Sequence, residues 1–169
     1  MNKVSEKILE VLNKENENFL RSKTQEFDFK NHTKSEIKEL TRKMRAMMKE
    51  ADGVGLSANQ VGLPYRMFVA QVPDDQGHMK FYAVFNPVLS KFSKDTETIE
   101  EGCLSVPETF GPVERFYRVV LDGFNADGNK IKIKAWGLLA RVFQHEVDHL
   151  DGKLFVDKAK ELHKVEMIN

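Results

Sequence analysis

Trp136-Gly-Leu-Leu-Ala-Arg-Val-Phe-Gln-His-Glu-Val-Asp-His-Leu-Asp-Gly152 is the stretch on which the reading of this chain turns. Apolar residues recur at steps of three and four and Gly152 supplies a stop, so the spacing predicts a helix over 136–152. Within it, His145-Glu-Val-Asp-His149 is an H-E-x-x-H pattern. At about 100° per residue, positions 145 and 149 fall on one face a turn apart, where both imidazoles can reach a single metal ion. Glu146 lies beside them, free to move a proton. Two histidines on a solvated face would be the bland alternative, and the mostly apolar helix argues against it.

A catalytic metal site needs three protein ligands and an open position for water, so a third ligand must come from elsewhere. Downstream, Glu161, His163 and Glu166 lie in a short amphipathic tail whose spacing predicts a last helix over 158–168. Cys103, the single cysteine, is the better candidate. It sits in Glu101-Gly-Cys-Leu-Ser-Val-Pro107, read as turn-like from Gly102 and Pro107, where backbone amides can face a ligand. A lone cysteine is more often inert, so it counts only in company with the histidines. Gly53-Val-Gly-Leu-Ser-Ala-Asn-Gln-Val-Gly62 is the third informative segment. Its start matches G-x-G-x-x-A, yet a charged helix precedes it and Pro64 follows, which excludes dinucleotide binding. Its glycines instead suggest a backbone that a ligand approaches closely, and Gln60 offers an uncharged donor able to polarise a carbonyl.

Working outward, Ile37, Leu40, Met44, Met47 and Met48 between charges predict a helix over 34–50, capped by Thr33 or Ser35 and stopped at Asp52-Gly53. The β-prone runs 66–72 and 80–85 flank a turn at 73–77 and read as neighbouring strands. Residues 116–124 and 129–135 flank Asn125-Ala-Asp-Gly128, and Ile131, Ile133 and Ala135 alternate with Lys130, Lys132 and Lys134, which predicts a hairpin with one wet face. Over 3–15, Val4, Ile8, Leu9, Val11 and Leu12 have helical spacing, followed by a polar run from Asn13 to Asn18. Strand pairs around a helix, without βαβ alternation, predict an α+β fold: antiparallel strands packed around a central helix that carries the metal ligands.

The 169 residues form about one domain, taken as 1–169. Lys+Arg and Asp+Glu are 26 each, so no basic surface announces nucleic acid, and no apolar run approaches the ~18 residues of a membrane span. One cysteine and an N-terminus bearing Glu6 and Glu10 without an apolar core point to a reducing, cytoplasmic setting, an organelle remaining open.

The three segments together resemble the peptide deformylases: Gly53-Val-Gly-Leu-Ser-Ala-Asn-Gln60, Glu101-Gly-Cys-Leu-Ser105 and Gln144-His-Glu-Val-Asp-His-Leu150 look like that family's motifs, in its order. Ser57 stands where the family commonly has alanine, Phe19-Leu20-Arg21 lacks the family's usual neighbouring proline, which leaves the first strand open, and the tail after Val156 is short. The resemblance implies removal of the N-formyl group from N-formylmethionyl nascent polypeptides, releasing formate. Cys103, His145 and His149 would hold one divalent metal, Fe2+ as the most active, with Zn2+, Ni2+ or Co2+ as substitutes. Glu146 would carry the proton, and the Gln60 amide with the Leu104 backbone N–H would face the oxyanion. Val54, Gly55, Leu138 and Val142 would wall the methionine pocket, Arg115 would brace Glu101, and Arg141 would sit at the pocket mouth or face water. Partners are nascent chains and a transient ribosome contact, with no nucleic acid or membrane, and a monomer suffices. A zincin-type endopeptidase and a non-catalytic domain with a structural metal are the alternatives.

Overall fold

The computed structural model describes residues 4–165. Helix α2 (Lys34–Glu50) begins at a capping box in which Thr33 Oγ1 accepts from Glu36 N and Glu36 Oε2 accepts from Thr33 N. It ends in a Schellman motif: Gly53 N donates to Met48 O and Asp52 N to Lys49 O. Asp52, not the glycine, takes the left-handed conformation, at φ 53°. Gly53 is needed for space, because a Cβ there would lie 2.7 Å from Leu104 Cδ1.

Five strands form one antiparallel sheet in the order β1 (Gly55–Ser57), β2 (Met67–Pro73), β3 (Met79–Ser90), β6 (Arg118–Phe124), β7 (Lys130–Trp136). Met67 and Val69 of β2 pack with Ile37, Leu40, Met44 and Met48 of α2, while Phe68, Ala70 and Val72 pack with Ala140, Phe143 and Val147 of helix α3 (Gly137–Leu150). Covered on both faces, β2 is a continuous apolar run. At the sheet edge, β7 is covered only on the side of Ile131, Ile133 and Ala135 and so alternates with lysine. A second sheet joins β4 (Thr96–Cys103), β5 (Val106–Phe116) and β8 (His163–Lys164). Helix α3 touches both sheets, which places the H-E-x-x-H residues between them. The architecture is α+β, as the patterning predicts.

Three local expectations fail. Residues 4–12 are not helical: Ser5 N donates to Val61 O, Leu9 N to Gln60 O and Val11 N to Ser105 O, so this segment is a strap across the motif loops. The polar run is the helix instead, α1 (Lys14–Leu20), because Asn13 Oδ1 accepts from Glu15 N and Asn16 N. Glu101-Gly-Cys103 is the end of β4, and only Leu104-Ser105 turn before β5. The helix expected over 158–168 is absent as far as residue 165: after one 3-10 turn (Phe155–Asp157) the chain pairs His163 and Lys164 with Phe110 and Thr109, and residues 166–168 lie outside the described range. Gly111 permits that approach, since a Cβ there would meet Glu161 O at 2.3 Å.

Candidate active site

Cys103 closes β4, His145 and His149 project from the last two turns of α3, and Gln60 sits in the 3-10 turn Ala58–Val61 after β1. These elements bring Cys103 Sγ to 3.2 Å from His149 Nε2, which is 3.2 Å from His145 Nε2. All three ligand atoms lie within 4.8 Å of one another. Sγ receives hydrogen bonds from Ser105 N at 3.4 Å and Gln60 Nε2 at 3.6 Å. Gln60 Oε1 accepts from Ser57 N at 2.9 Å, which fixes the carboxamide with its NH2 toward the sulfur.

His145 Nδ1 lies 3.0 Å from Glu101 Oε2, and donating that N–H leaves the Nε2 lone pair facing Sγ and His149. Burial opposes a proton on His145, but its hydrogen bonds to Cys103 and Glu101 push its pKa up to about 10. His149 is driven well below its ordinary value by burial and by the positive charge on His145. The cluster thus demands positive charge among a sulfur and two ring nitrogens that are too close to hold a proton each. A divalent cation meets that demand, and two imidazoles with one thiolate suit zinc or ferrous iron. The residues fit a metal.

Glu146 is 3% exposed, and its Oε2 has no hydrogen-bond partner among the described residues. Burial raises its carboxyl to about 7. Its other oxygen packs on Gly55, where a Cβ would lie only 2.2 Å from Glu146 Oε1.

Glu101, near the end of β4, ties the second sheet to helix α3. Arg115 Nε and Nη2 bind its two oxygens at 2.9 Å each, and Arg141 Nη1 adds a bond to Oε1 at 2.6 Å. Arg115 also reaches Asp148, which is paired in turn with Lys158. Arg141 does not face open water: it is 7% exposed, lines the cavity beside Glu101, and also donates from Nη1 to Val113 O and from Nη2 to Glu97 O. Sequence reasoning missed this role, as it missed Ser105, Asp148 and Asn59, whose Nδ2 donates to His149 O at 2.6 Å. The available signal was a charge at 141, one turn before His145, in a mostly apolar helix.

A cavity of about 730 Å³ opens beside the cluster, and Val54, Gly55, Gln60, Glu101, Cys103, Leu104, Leu138, Val142, His145 and Glu146 all line it. His149 and Arg115 lie behind this wall, 1% and 3% exposed. Val106, Pro107 and Phe110, not assigned to the pocket from sequence, complete the apolar lining from β5. His163, the downstream histidine of the zincin alternative, is outside the cluster and paired with Glu100 at 2.7 Å.

The family model described as Polypeptide deformylase matches residues 8–165. The chain is similar to the peptide deformylase of Rhodopirellula baltica, 45% identical over 127 residues that make up 75% of this chain and 63% of that protein. It therefore spans somewhat less than two thirds of that relative's length. Among solved structures, it is similar to peptide deformylase from Thermotoga maritima, with TM-score 0.80 and 34% identity over 94% of this chain and all of that one. The Met-Ala-Ser-bound class I type b peptide deformylase of Acinetobacter baumannii is similar at TM-score 0.82 and 30% identity, over 94% of this chain and 99% of that one. With the match extending from the N-terminal strap to the last described strand, the chain belongs to the polypeptide deformylase family.

Proposed function

We propose that this chain removes the formyl group from the N-terminal formylmethionine of newly synthesised proteins and releases formate. The observation that carries the proposal is the convergence of Cys103, His145 and His149 beside an unpartnered Glu146 at the base of an apolar cavity. Cys103 Sγ and the Nε2 atoms of His145 and His149 would hold one divalent metal, Fe2+ by resemblance and Zn2+, Ni2+ or Co2+ in substitution, which when bound supplies a Lewis acid that brings the pKa of water toward neutrality.

The remaining chemistry belongs to the chain. A Glu146 carboxyl poised at about 7 takes a proton from the attacking water and delivers it to the leaving amine at neutral pH. Gln60 Nε2 and the Leu104 N–H donate to the oxygen that gains charge, and neither brings a net charge to the cluster. The methionine side chain lies against Val54, Gly55, Leu138 and Val142, and a relative that holds Met-Ala-Ser supports a peptide with methionine first. Glu101, held by Arg115, keeps the His145 ring oriented. In this reading 1–169 works as a single catalytic unit, a cytoplasmic monomer that meets nascent chains with transient contact at the ribosome. Among the described residues no helix is long and apolar enough to cross a membrane.

The test is formate release from a short formyl-methionyl peptide by ferrous-loaded protein under anaerobic conditions, with the acetylated peptide as control. Release confined to the formyl peptide is expected; cleavage of internal peptide bonds instead would overturn the proposal. Gly55→Ala gives a second test. The added methyl must displace Glu146 Oε1 from 2.2 Å, and a misplacement of that size lowers turnover by about 10²-fold. Because the displaced atom ends a flexible side chain, Tm should shift by only a few degrees. Full activity in this variant would remove Glu146 from the reaction.

A further inference from the structure

Ser57 and Asn59, which the mechanism above leaves unused, are 0% and 1% exposed and adjoin Gln60. Ser57 Oγ lies 2.9 Å from Asn59 Oδ1 and 3.0 Å from Gln60 Oε1. Both carboxamides are oriented by other bonds: Asn59 Nδ2 donates to His149 O at 2.6 Å and Leu20 O at 3.3 Å, so Oδ1 must face Ser57. Gln60 Oε1 is held by Ser57 N, so its NH2 must face Ser105 and Cys103. One hydroxyl proton therefore serves two buried acceptor oxygens. Ser57, Asn59 and Gln60 are all buried, the setting in which linked hydrogen bonds polarise one another.

We propose that Ser57 and Asn59 are positioning residues: the Ser57 hydroxyl couples the Gln60 carboxamide to Asn59, and Asn59 couples it to the backbone of the metal-ligand candidate His149. The bridge ties the donor that faces the oxyanion to the helix that carries the ligands, so the two keep one spacing. Alanine at position 57 could not make this link. Alanine here leaves Asn59 Oδ1 buried without its hydroxyl donor, and Gln60 Oε1 keeps only the Ser57 N–H. A buried acceptor that loses its donor reorients or draws in water, and either disturbs Gln60.

The proposal rests on the deformylase reading through Gln60. Its test is Ser57→Ala in zinc-loaded protein, followed by steady-state kinetics on a formyl-methionyl peptide and by the side-chain NH2 resonances of Gln60 in 15N-labelled protein. Expected are a fall in kcat of about 3- to 10-fold with KM unchanged, as for an interaction made mainly in the transition state, and a shift of the Gln60 NH2 signals. Asn59→Ala releases the hydroxyl to Gln60 alone and should move those signals in the opposite direction, which keeps the test decisive if Ser57→Ala does not fold. A lowered Tm with kcat and the Gln60 signals unmoved would make the pair purely structural and overturn the proposal, as would a lowered kcat with those signals unmoved. Wild-type protein that releases no formate, by contrast, would fail the reading on which the proposal rests.

Discussion

Glu146→Gln is expected to lower formate release by about 10²- to 10⁴-fold, the range for losing a positioned acid-base group, while the chain still binds one metal ion. The substitution is nearly isosteric and leaves Cys103 Sγ, His145 Nε2 and His149 Nε2 untouched, so metal stoichiometry separates lost chemistry from a lost site. Stability should change in a direction that a structural glutamate would not give. Burial raises the Glu146 carboxyl from 4.5 to about 7, so the folded state holds a proton that the unfolded state has released. The stability this contributes is complete below about pH 4.5 and is lost as pH rises through about 7. Glutamine has nothing to ionise. Thermal scans of metal-stripped protein should therefore show the variant gaining on wild type between pH 5 and 8. Turnover within tenfold of wild type would remove Glu146 from the proton path.

The sequence disclosed most where one physical requirement dominates a stretch. Ile131, Ile133 and Ala135 against three lysines read as a hairpin strand with one wet face, and Thr33, offered with Ser35 as the cap, does open the helix. It disclosed less where contacts distant in the chain decide. Val4 to Leu12 have helical spacing, yet their N–H groups are claimed by Val61, Gln60 and Ser105, acceptors that exist only once the motif loops have folded. The β4-β5 hairpin was obscured because Glu97, Thr98, Glu100 and Glu101 lack an apolar alternation and Gly102 and Pro107 made the next residues read as a turn. Glu101 is buried all the same, since Arg115 and Arg141 neutralise it from β5 and α3. The candidate ligands were legible because H-E-x-x-H is a helix-periodic pattern; the Ser57–Asn59 bridge was not, because serine and asparagine in a turn look alike whether they face water or a carbonyl.

Glu101→Gln should be the most destabilising of these substitutions, by about 3–5 kcal/mol, the cost of removing one partner from a buried ion network. Arg115 and Arg141 are 3% and 7% exposed, so neither guanidinium can turn to water. Arg115 keeps Asp148, but Arg141 loses the one carboxylate it binds among the described residues and retains two carbonyls. At about 2–4 °C per kcal/mol for a chain of this size, Tm should fall by roughly 10 °C. Arg141→Met, which removes a charge instead of stranding one and leaves the Arg115–Glu101 fork in place, should cost distinctly less. The loss should also depend on pH. Burial works against the Glu101 charge, yet hydrogen bonds from Arg115 and His145, with the charge of Arg115, hold its carboxyl well below the usual carboxylate range. Stability from a depressed carboxyl is present above the unfolded value of 4.5 and is lost as pH falls below it toward the folded value. The gap between wild type and Glu101→Gln should thus be full at pH 6–7 and narrow below about pH 4.5. Because the His145 Nδ1–H also loses a carboxylate acceptor, metal affinity should drop by about 10- to 100-fold, measurable by competition with a chelator. A variant with wild-type Tm and wild-type metal affinity would show that Glu101 neither ties the second sheet to helix α3 nor orients His145.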